Sequence, residues 1–329
     1  MKAAQVSSYG GREVIDVVEM DVPEPEEGEV RIAVEAAGIN FADIMQRRGH
    51  YHGGPEPPYV PGLEVAGVVD AVGDGVGHSV GDRVVAMVDL GGYAEFVTVD
   101  ASRLLPMPEG LSFEEGAGFP LQYLTAHNCL FEWGGLEEGD TVLIHAAAGG
   151  VGTAAVQLAA DAGAEVFGTA STAAKLEKAR SLGCDHPINY EEADFVEEVR
   201  AQTDHGVDLV LDGVGGETTE RSLDALRQFG RMVVYGAASG RPGQLETDDL
   251  LFGNYEIVGY HLGRATTLKP LRVMGAIAEL TNKLEAGAIE IQFDRAFDLA
   301  LPVMVTGGLR ILLRLADFLM VGLALGDAA

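Results

Sequence analysis

The sequence predicts an α/β protein of two units, a β-rich, barrel-like one followed by a doubly wound parallel sheet. Its 329 residues exceed one ordinary core and divide most simply into two. From Val14 to Asp100, short apolar runs are punctuated by Gly, Pro and Asp, the texture of short strands joined by tight turns. Beyond Pro106-Met107-Pro108-Glu109-Gly110, where a boundary is expected, strand-like runs alternate with helical ones in the manner of βαβ units.

Met1-Lys2-Ala3-Ala4-Gln5-Val6 reads as a first strand, because it lacks the long apolar core and small-residue cleavage site of a secretory signal. Strands are expected at Val30–Val34 and Ala66–Val69, and another at Val84–Val88 after the Gly81-Asp82 turn. The second unit should begin its sheet at Val142–His145, followed by a helix over Thr153–Ala162, a strand at Val166–Gly168 and a helix over Lys175–Leu182. A strand at Asp208–Asp212, a helix over Thr218–Arg227 and a strand at Met232–Tyr235 continue the alternation.

Charge excludes whole classes of partner. With 22 basic and 51 acidic residues the net charge is 22 − 51 = −29, which repels nucleic-acid phosphates and anionic membranes. The acids are spread over a chain that is 47% hydrophobic, so they coat a folded protein rather than form a disordered tail. Adaptation to a high-salt cytoplasm is the hypothesis this motivates, and unfolding stability is then expected to rise between low and molar KCl; a flat response would refute it. Cys129 and Cys184 are too few for a disulfide framework, which points to a reducing, cytoplasmic setting.

Ala146-Ala147-Ala148-Gly149-Gly150-Val151-Gly152 directly follows an apolar strand and opens a helix, the context in which glycines bind a dinucleotide. Gly149 and Gly150 are expected to allow a tight turn and close approach to pyrophosphate, and Gly152 to fit the helix to the sheet. An NAD-binding chain carries an acid about 20 residues on. Here Thr169-Ala170-Ser171-Thr172-Ala173-Ala174-Lys175 has none, while a hydroxyl and a lysine can hold a 2′-phosphate, so NADPH is the expected cofactor.

This loop together with Gly38-Ile39-Asn40-Phe41-Ala42-Asp43 resembles the zinc-independent medium-chain dehydrogenases/reductases, the family of quinone oxidoreductase and zeta-crystallin. Gly168-Thr169-Ala170-Ser171, His186-Pro187-Ile188-Asn189-Tyr190, Gly206-Val207-Asp208-Leu209-Val210-Leu211-Asp212 and Gly259-Tyr260-His261-Leu262-Gly263 are similar to its vesicle amine transport protein branch. The resemblance implies a GroES-like catalytic domain over 1–118, a Rossmann NADPH-binding domain over 119–260 and a return to the catalytic domain over 261–329. It also places Asn40 beside the nicotinamide, Ser171, Lys175 and Tyr190 around the 2′-phosphate, and Tyr51 in the substrate pocket. Zinc-dependent relatives carry cysteine and histidine where this chain has Asn40 and Leu63, so no metal is expected, and His50 and His52 read as loop residues.

The expected activity is therefore hydride transfer from NADPH to a quinone or α,β-unsaturated carbonyl, acceptors that need no Lewis acid because they delocalise the charge they receive. Tyr51 or solvent would supply the proton, and Asp43 would act as a hydrogen-bond acceptor. The alternative is a non-catalytic nucleotide-binding regulatory protein of the vesicle type; zinc-dependent alcohol oxidation is disfavoured by Asn40 and Leu63. Analogy suggests a homodimer. The resemblance stops near Ala300: Leu301–Ala329 lacks the family's final polar helix and strand. Arg310, Arg314 and Asp317 share one helical stripe and predict a buried amphipathic helix, with a change of reading frame near Ala300 as the rival explanation. Phe318–Leu325, eight residues, is too short to cross a bilayer.

Overall fold

The computed structural model describes residues 1–293, 295–298 and 310–313. The chain divides into two units, Met1–Leu121 with Ile291–Ala329, and Gln122–Glu290.

In the first unit β1 (Lys2–Val6) pairs antiparallel with β2 (Ile15–Glu19). The larger sheet is organised on β3 (Glu29–Gly38), whose alternation turns Val30, Ile32 and Val34 into the core. One side of β3 pairs antiparallel with β4 (Glu64–Val72), which pairs in turn with β5 (Arg83–Met87), and β5 with β7 (Leu104–Pro106). On its other side, residues Glu29–Ala33 pair with β6 (Phe96–Asp100). Valines from four strands, Val30, Val65, Val84 and Val97 among them, fill the interior, as expected of β-branched residues on a half-buried sheet. Helices α1 (Phe41–Arg47) and α2 (Phe113–Ala117) follow β3 and β7, and α3 (Pro120–His127), which begins at the end of this unit, belongs from Gln122 onward to the second.

The returning segment supplies β14 (Arg295–Asp298) and β15 (Arg310–Leu313), antiparallel to each other. Strand β15 runs parallel to Ala36–Gly38 of β3, beyond the stretch that β6 covers. This corrects the helix expected through Arg310: the backbone groups of β3 left over by β6 are satisfied by an extended partner. Arg314, Asp317 and Phe318–Leu325 lie outside the described residues.

In the second unit six parallel strands take the order β10-β9-β8-β11-β12-β13, that is, β8 (Thr141–Ile144), β9 (Glu165–Ala170), β10 (His186–Asn189), β11 (Val207–Asp212), β12 (Leu226–Val234) and β13 (Glu256–Gly259). Helices α4 (Gly150–Asp161), α5 (Ala173–Ser181), α6 (Phe195–Gln202), α7 (Glu217–Ala225) and α8 (Thr247–Gly253) connect them. This is the Rossmann order, in which strand succession reverses between β8 and β11 and ligands bind outside the carboxyl ends there. The helix expected over Thr218–Arg227 ends at Ala225, because Leu226 and Arg227 already extend into β12.

The return expected at 261 occurs at 291. Residues 261–290 form α9 (Leu262–Leu268), α10 (Pro270–Met274) and α11 (Ala276–Glu285), which group with the second unit. They are tied to it by the Lys283–Asp161 ion pair, by Tyr123 OH donating to the Glu290 carbonyl at 2.6 Å, and by Glu290 N donating to Gln157 Oε1 at 2.8 Å. Among the described residues no helix is long and apolar enough to cross a membrane.

Candidate functional site

The glycine loop runs from the end of β8 at Ile144 to the start of α4 at Gly150. Its left-handed residue is Ala146, at φ 52°, and not a glycine; Gly149 is the N-cap at φ −78°. The expectation that Gly149 and Gly150 make the turn is thus corrected. Ala147 N donates to the Thr169 carbonyl at 3.0 Å and Gly149 N to the Ala146 carbonyl at 2.7 Å, which hold Ala146 in a conformation costly for an L-residue. Gly152 lies close against this turn: a Cβ there would stand 2.2 Å from the Ala146 oxygen and 2.9 Å from Ala147 Cα. The N-cap residue of α4, Gly149, has no side chain to cap the helix, and the first turn holds no acid. Its N-terminal N–H groups and the positive end of its dipole therefore suit an anion.

Strand β9 ends at Ala170, opposite Asn189 of β10. Just beyond, Lys175 Nζ donates to Ser171 Oγ at 3.4 Å, and Tyr190 N donates to the Ala170 carbonyl at 3.2 Å. Ser171, Lys175 and Tyr190 are thereby gathered at the carboxyl ends of two adjacent strands. Thr172 fixes the start of α5, its side chain accepting from Lys175 N at 3.3 Å. Tyr190 is 50% exposed, so its ring is available to a ligand.

Behind the loop lies a buried polar network that the sequence reading missed. Ser222 Oγ donates to the Thr218 carbonyl at 2.6 Å, leaving its oxygen to accept from His145 Nε2 at 2.9 Å. The His145 proton therefore sits on Nε2, and Nδ1 accepts from Thr169 Oγ1 at 3.0 Å. Burial pushes the His145 pKa down to about 4, although Asp212 opposes the shift. Asp212, at the end of β11, accepts from Val214 N at 2.8 Å, Gly215 N at 3.1 Å and the Thr219 hydroxyl. The loops flanking the strand reversal are thus both pinned by neutral donors and one carboxylate. An ionisable residue ending each apolar strand, His145 after β8 and Asp212 on β11, was the available signal.

In the first unit the turn from β3 into α1 is built on acids. Asn40 N donates to Asp43 Oδ2 at 2.8 Å, as does Tyr93 OH at 2.8 Å. Asn40 Nδ2 donates to Glu64 Oε1 at 2.9 Å, and Leu121 N to Glu64 Oε2 at 3.0 Å. Asn40, Asp43 and Glu64 are all buried. Burial pushes the Asp43 carboxyl up to about 6, despite the hydrogen bonds from Asn40 and Tyr93 that favour its charged form. Gly38 is required beside this cluster, since a Cβ would meet Glu64 Oε1 at 2.4 Å and the Ala117 oxygen at 2.5 Å. Glu64 escaped the sequence reading, although a lone acid heading the apolar run Glu64–Val72 marks a buried carboxylate that must have partners.

Tyr51 is partly buried, and its carbonyl accepts from Gly54 N at 3.0 Å; His50 and His52 beside it are exposed. Among the described residues no group of three or more His, Cys, Asp or Glu is placed to hold a metal ion. Cys129 and Cys184 are free and buried.

Two family models match this chain: the alcohol dehydrogenase GroES-like domain over residues 26–109 and the zinc-binding dehydrogenase over residues 150–279. The chain is 38% identical to the synaptic vesicle membrane protein VAT-1 homolog of Danio rerio, over 91% of its own length and 65% of that protein. It thus spans just under two thirds of that relative. A 2-haloacrylate reductase of Burkholderia sp is 42% identical over 72% of this chain and 74% of its own. Among solved structures, the Pseudomonas syringae quinone oxidoreductase superposes with a TM-score of 0.85 at 32% identity, covering 94% of this chain and 99% of that one. The Escherichia coli quinone oxidoreductase complexed with NADPH gives 0.83 at 31% identity, over 95% and 100%. Sequence likeness over most of the chain and superposition over nearly all of it agree, and the chain belongs to the zinc-independent medium-chain dehydrogenase/reductase family of the quinone oxidoreductases, close to the VAT-1 homologues.

Proposed function

We propose that the chain is an NADPH-dependent, zinc-independent oxidoreductase that passes a hydride to a quinone or an α,β-unsaturated carbonyl. The observation that carries this reading is the Ser171–Lys175 pair at the end of β9, where a hydroxyl and an ammonium stand in place of the acid that would select NAD. Bound NADPH would supply the hydride. The first-turn N–H groups of α4 hold its pyrophosphate, with Gly149, Gly150, Val151 and Gly152 forming the approach. Ser171, Lys175 and Tyr190 hold the 2′-phosphate. Asn40 borders the nicotinamide, fixed by its bond to Glu64, and Tyr51 or solvent returns the proton. The 2-haloacrylate reductase relative, by its name, reduces an electron-poor alkene, in keeping with an acceptor that disperses charge.

The likeness to VAT-1 homologues supports a second reading, a nucleotide-binding regulatory protein without turnover. Stopped-flow NADPH oxidation against matched panels of quinones and enones separates the two. Acceptor-dependent oxidation, insensitive to chelators and slower with NADH, is expected. Tight NADPH binding with no turnover on either panel, together with a specific co-purifying partner, would favour the second reading. A preference for NADH would overturn the roles given to Ser171 and Lys175.

A further inference from the structure

We infer that Gln122 is a further dinucleotide-binding residue, whose carboxamide oxygen accepts a hydrogen bond from the bound nucleotide beside the N-terminus of α4. The inference rests on the NADPH reading above and adds to it a residue that the glycine motif does not contain.

Gln122 is only 4% exposed, yet its Oε1 is buried with no hydrogen-bond partner among the described residues. Buried acceptors are nearly always satisfied, so one left without a donor calls for an explanation. The location supplies it. Oε1, Cδ and Nε2 of Gln122 lie 2.4, 2.6 and 2.9 Å from where a Cβ on Gly150 would stand, so the amide rests against the first residue of α4. Gly150 is thus a glycine because the carboxamide occupies the space of its side chain.

The amide is held there by its neighbours. Tyr123, the next residue of α3, donates to the Glu290 carbonyl at 2.6 Å and accepts from Gln157 Nε2 at 3.2 Å, and Gln157 lies on α4. This sets the register of α3 against α4 and with it the position of Gln122. An ionised phosphate has no proton to give to a carbonyl oxygen. A pyridine dinucleotide does carry neutral donors, its ribose hydroxyls and its nicotinamide amide. The chemical class of the missing partner is therefore a hydroxyl or amide N–H of the nucleotide, complementary to the anion site formed by the N–H groups of α4.

Gln122→Met, close in size and without the acceptor, tests this through two readouts on the full chain: NADPH affinity by calorimetric titration, and the unfolding midpoint without ligand. The expected result is an NADPH Kd raised about tenfold, the loss of one hydrogen bond, with an unfolding midpoint unchanged or higher because an unsatisfied buried oxygen has been removed. Gln122→Ala gives the same pair of measurements should the methionine variant fail to fold. An unchanged Kd in a folded variant overturns the inference and leaves the NADPH reading standing. Weakened binding accompanied by a matching fall in unfolding midpoint also overturns it, by showing a structural role. No NADPH binding by the unaltered chain would overturn the NADPH reading itself, and this site with it.

Discussion

Each unit contains a strand that turns sharply into a helix, and the two turns are finished in opposite ways. Where β3 passes into α1, the helix start is closed by the chain itself: Asp43, in its first turn, accepts from the Asn40 backbone, and Glu64 takes the Asn40 amide. Where β8 passes into α4, the cap is Gly149, which has no side chain to offer, and the first turn, Gly150-Val151-Gly152, holds no acid. In a chain with 51 acidic residues this second helix start carries no acid in its own first turn to face the positive end of its dipole. A helix start can be spent on folding or kept for an anion, and this molecule does one in each unit.

The largest effect should come from damaging the turn before α4. Gly152→Ala would place a Cβ 2.2 Å from a backbone oxygen that cannot swing away, in a loop already holding Ala146 left-handed. NADPH affinity should fall on the order of a hundredfold or more, about 3 kcal/mol, measured by titration, whereas a merely permissive glycine would leave it unchanged. Val151→Asp goes further into the comparison, since it gives α4 the first-turn acid that α1 has. NADPH binding should weaken by roughly tenfold or more while the unfolding midpoint holds or rises slightly, because an acid favours a helix N-terminus by about 0.3–1 kcal/mol. Should both quantities fall together, the residue is acting through packing, and the contrast between the two helix ends loses its meaning.

The 2′-phosphate contacts carry a smaller share. Lys175→Ala removes a charged donor that rests on Ser171 and should lower the preference for NADPH over NADH about tenfold, with little change in NADH binding, as expected for one charge-assisted bond of about 1.5–3 kcal/mol. Comparing kcat/KM for the two cofactors checks it. An equal loss with both would place Lys175 outside the 2′-phosphate pocket.

What could be read from the sequence follows from the range of the interactions involved. Strand and helix alternation is local, so β8, β9, β11 and the helices α4 and α5 were legible from apolar runs and glycines. The glycine loop was legible as a motif but not in its mechanics. That Ala146 takes the left-handed conformation depends on the Thr169 carbonyl of a neighbouring strand, and that Gly150 must be glycine depends on Gln122 from another helix. Glu64 and His145 were missed for the same reason, because their partners lie 24 or more positions away in the chain. The strand at Arg310–Leu313 was misread as helix: three charges fit a helical stripe, but the uncovered edge of β3 that it joins is invisible in its own residues.

The smallest net effect on the whole protein, because its two parts oppose each other, and the one that bears most directly on the contrast between the units, is the pH response of the two buried groups. Asp43 has its folded pKa raised to about 6 from 3.8, so between those values the folded state holds the proton more tightly than the unfolded one, and stability falls as pH rises through that window. His145 has its folded pKa lowered to about 4 from 6.5, so there the unfolded state binds the extra proton and stability rises with pH over nearly the same range. The first turn should therefore loosen, and the second tighten, on going from pH 4 to pH 6. Hydrogen exchange normalised to intrinsic rates can follow each locally, in α1 and in β8 with β11. Asp43→Asn should flatten the first slope and leave the second, while His145→Gln should do the reverse. In the unaltered protein the two contributions oppose each other, so a global unfolding midpoint should show little net change from them. Slopes of the same sign in both segments would mean that the acid-built and the histidine-built turns do not differ in the way their burial implies.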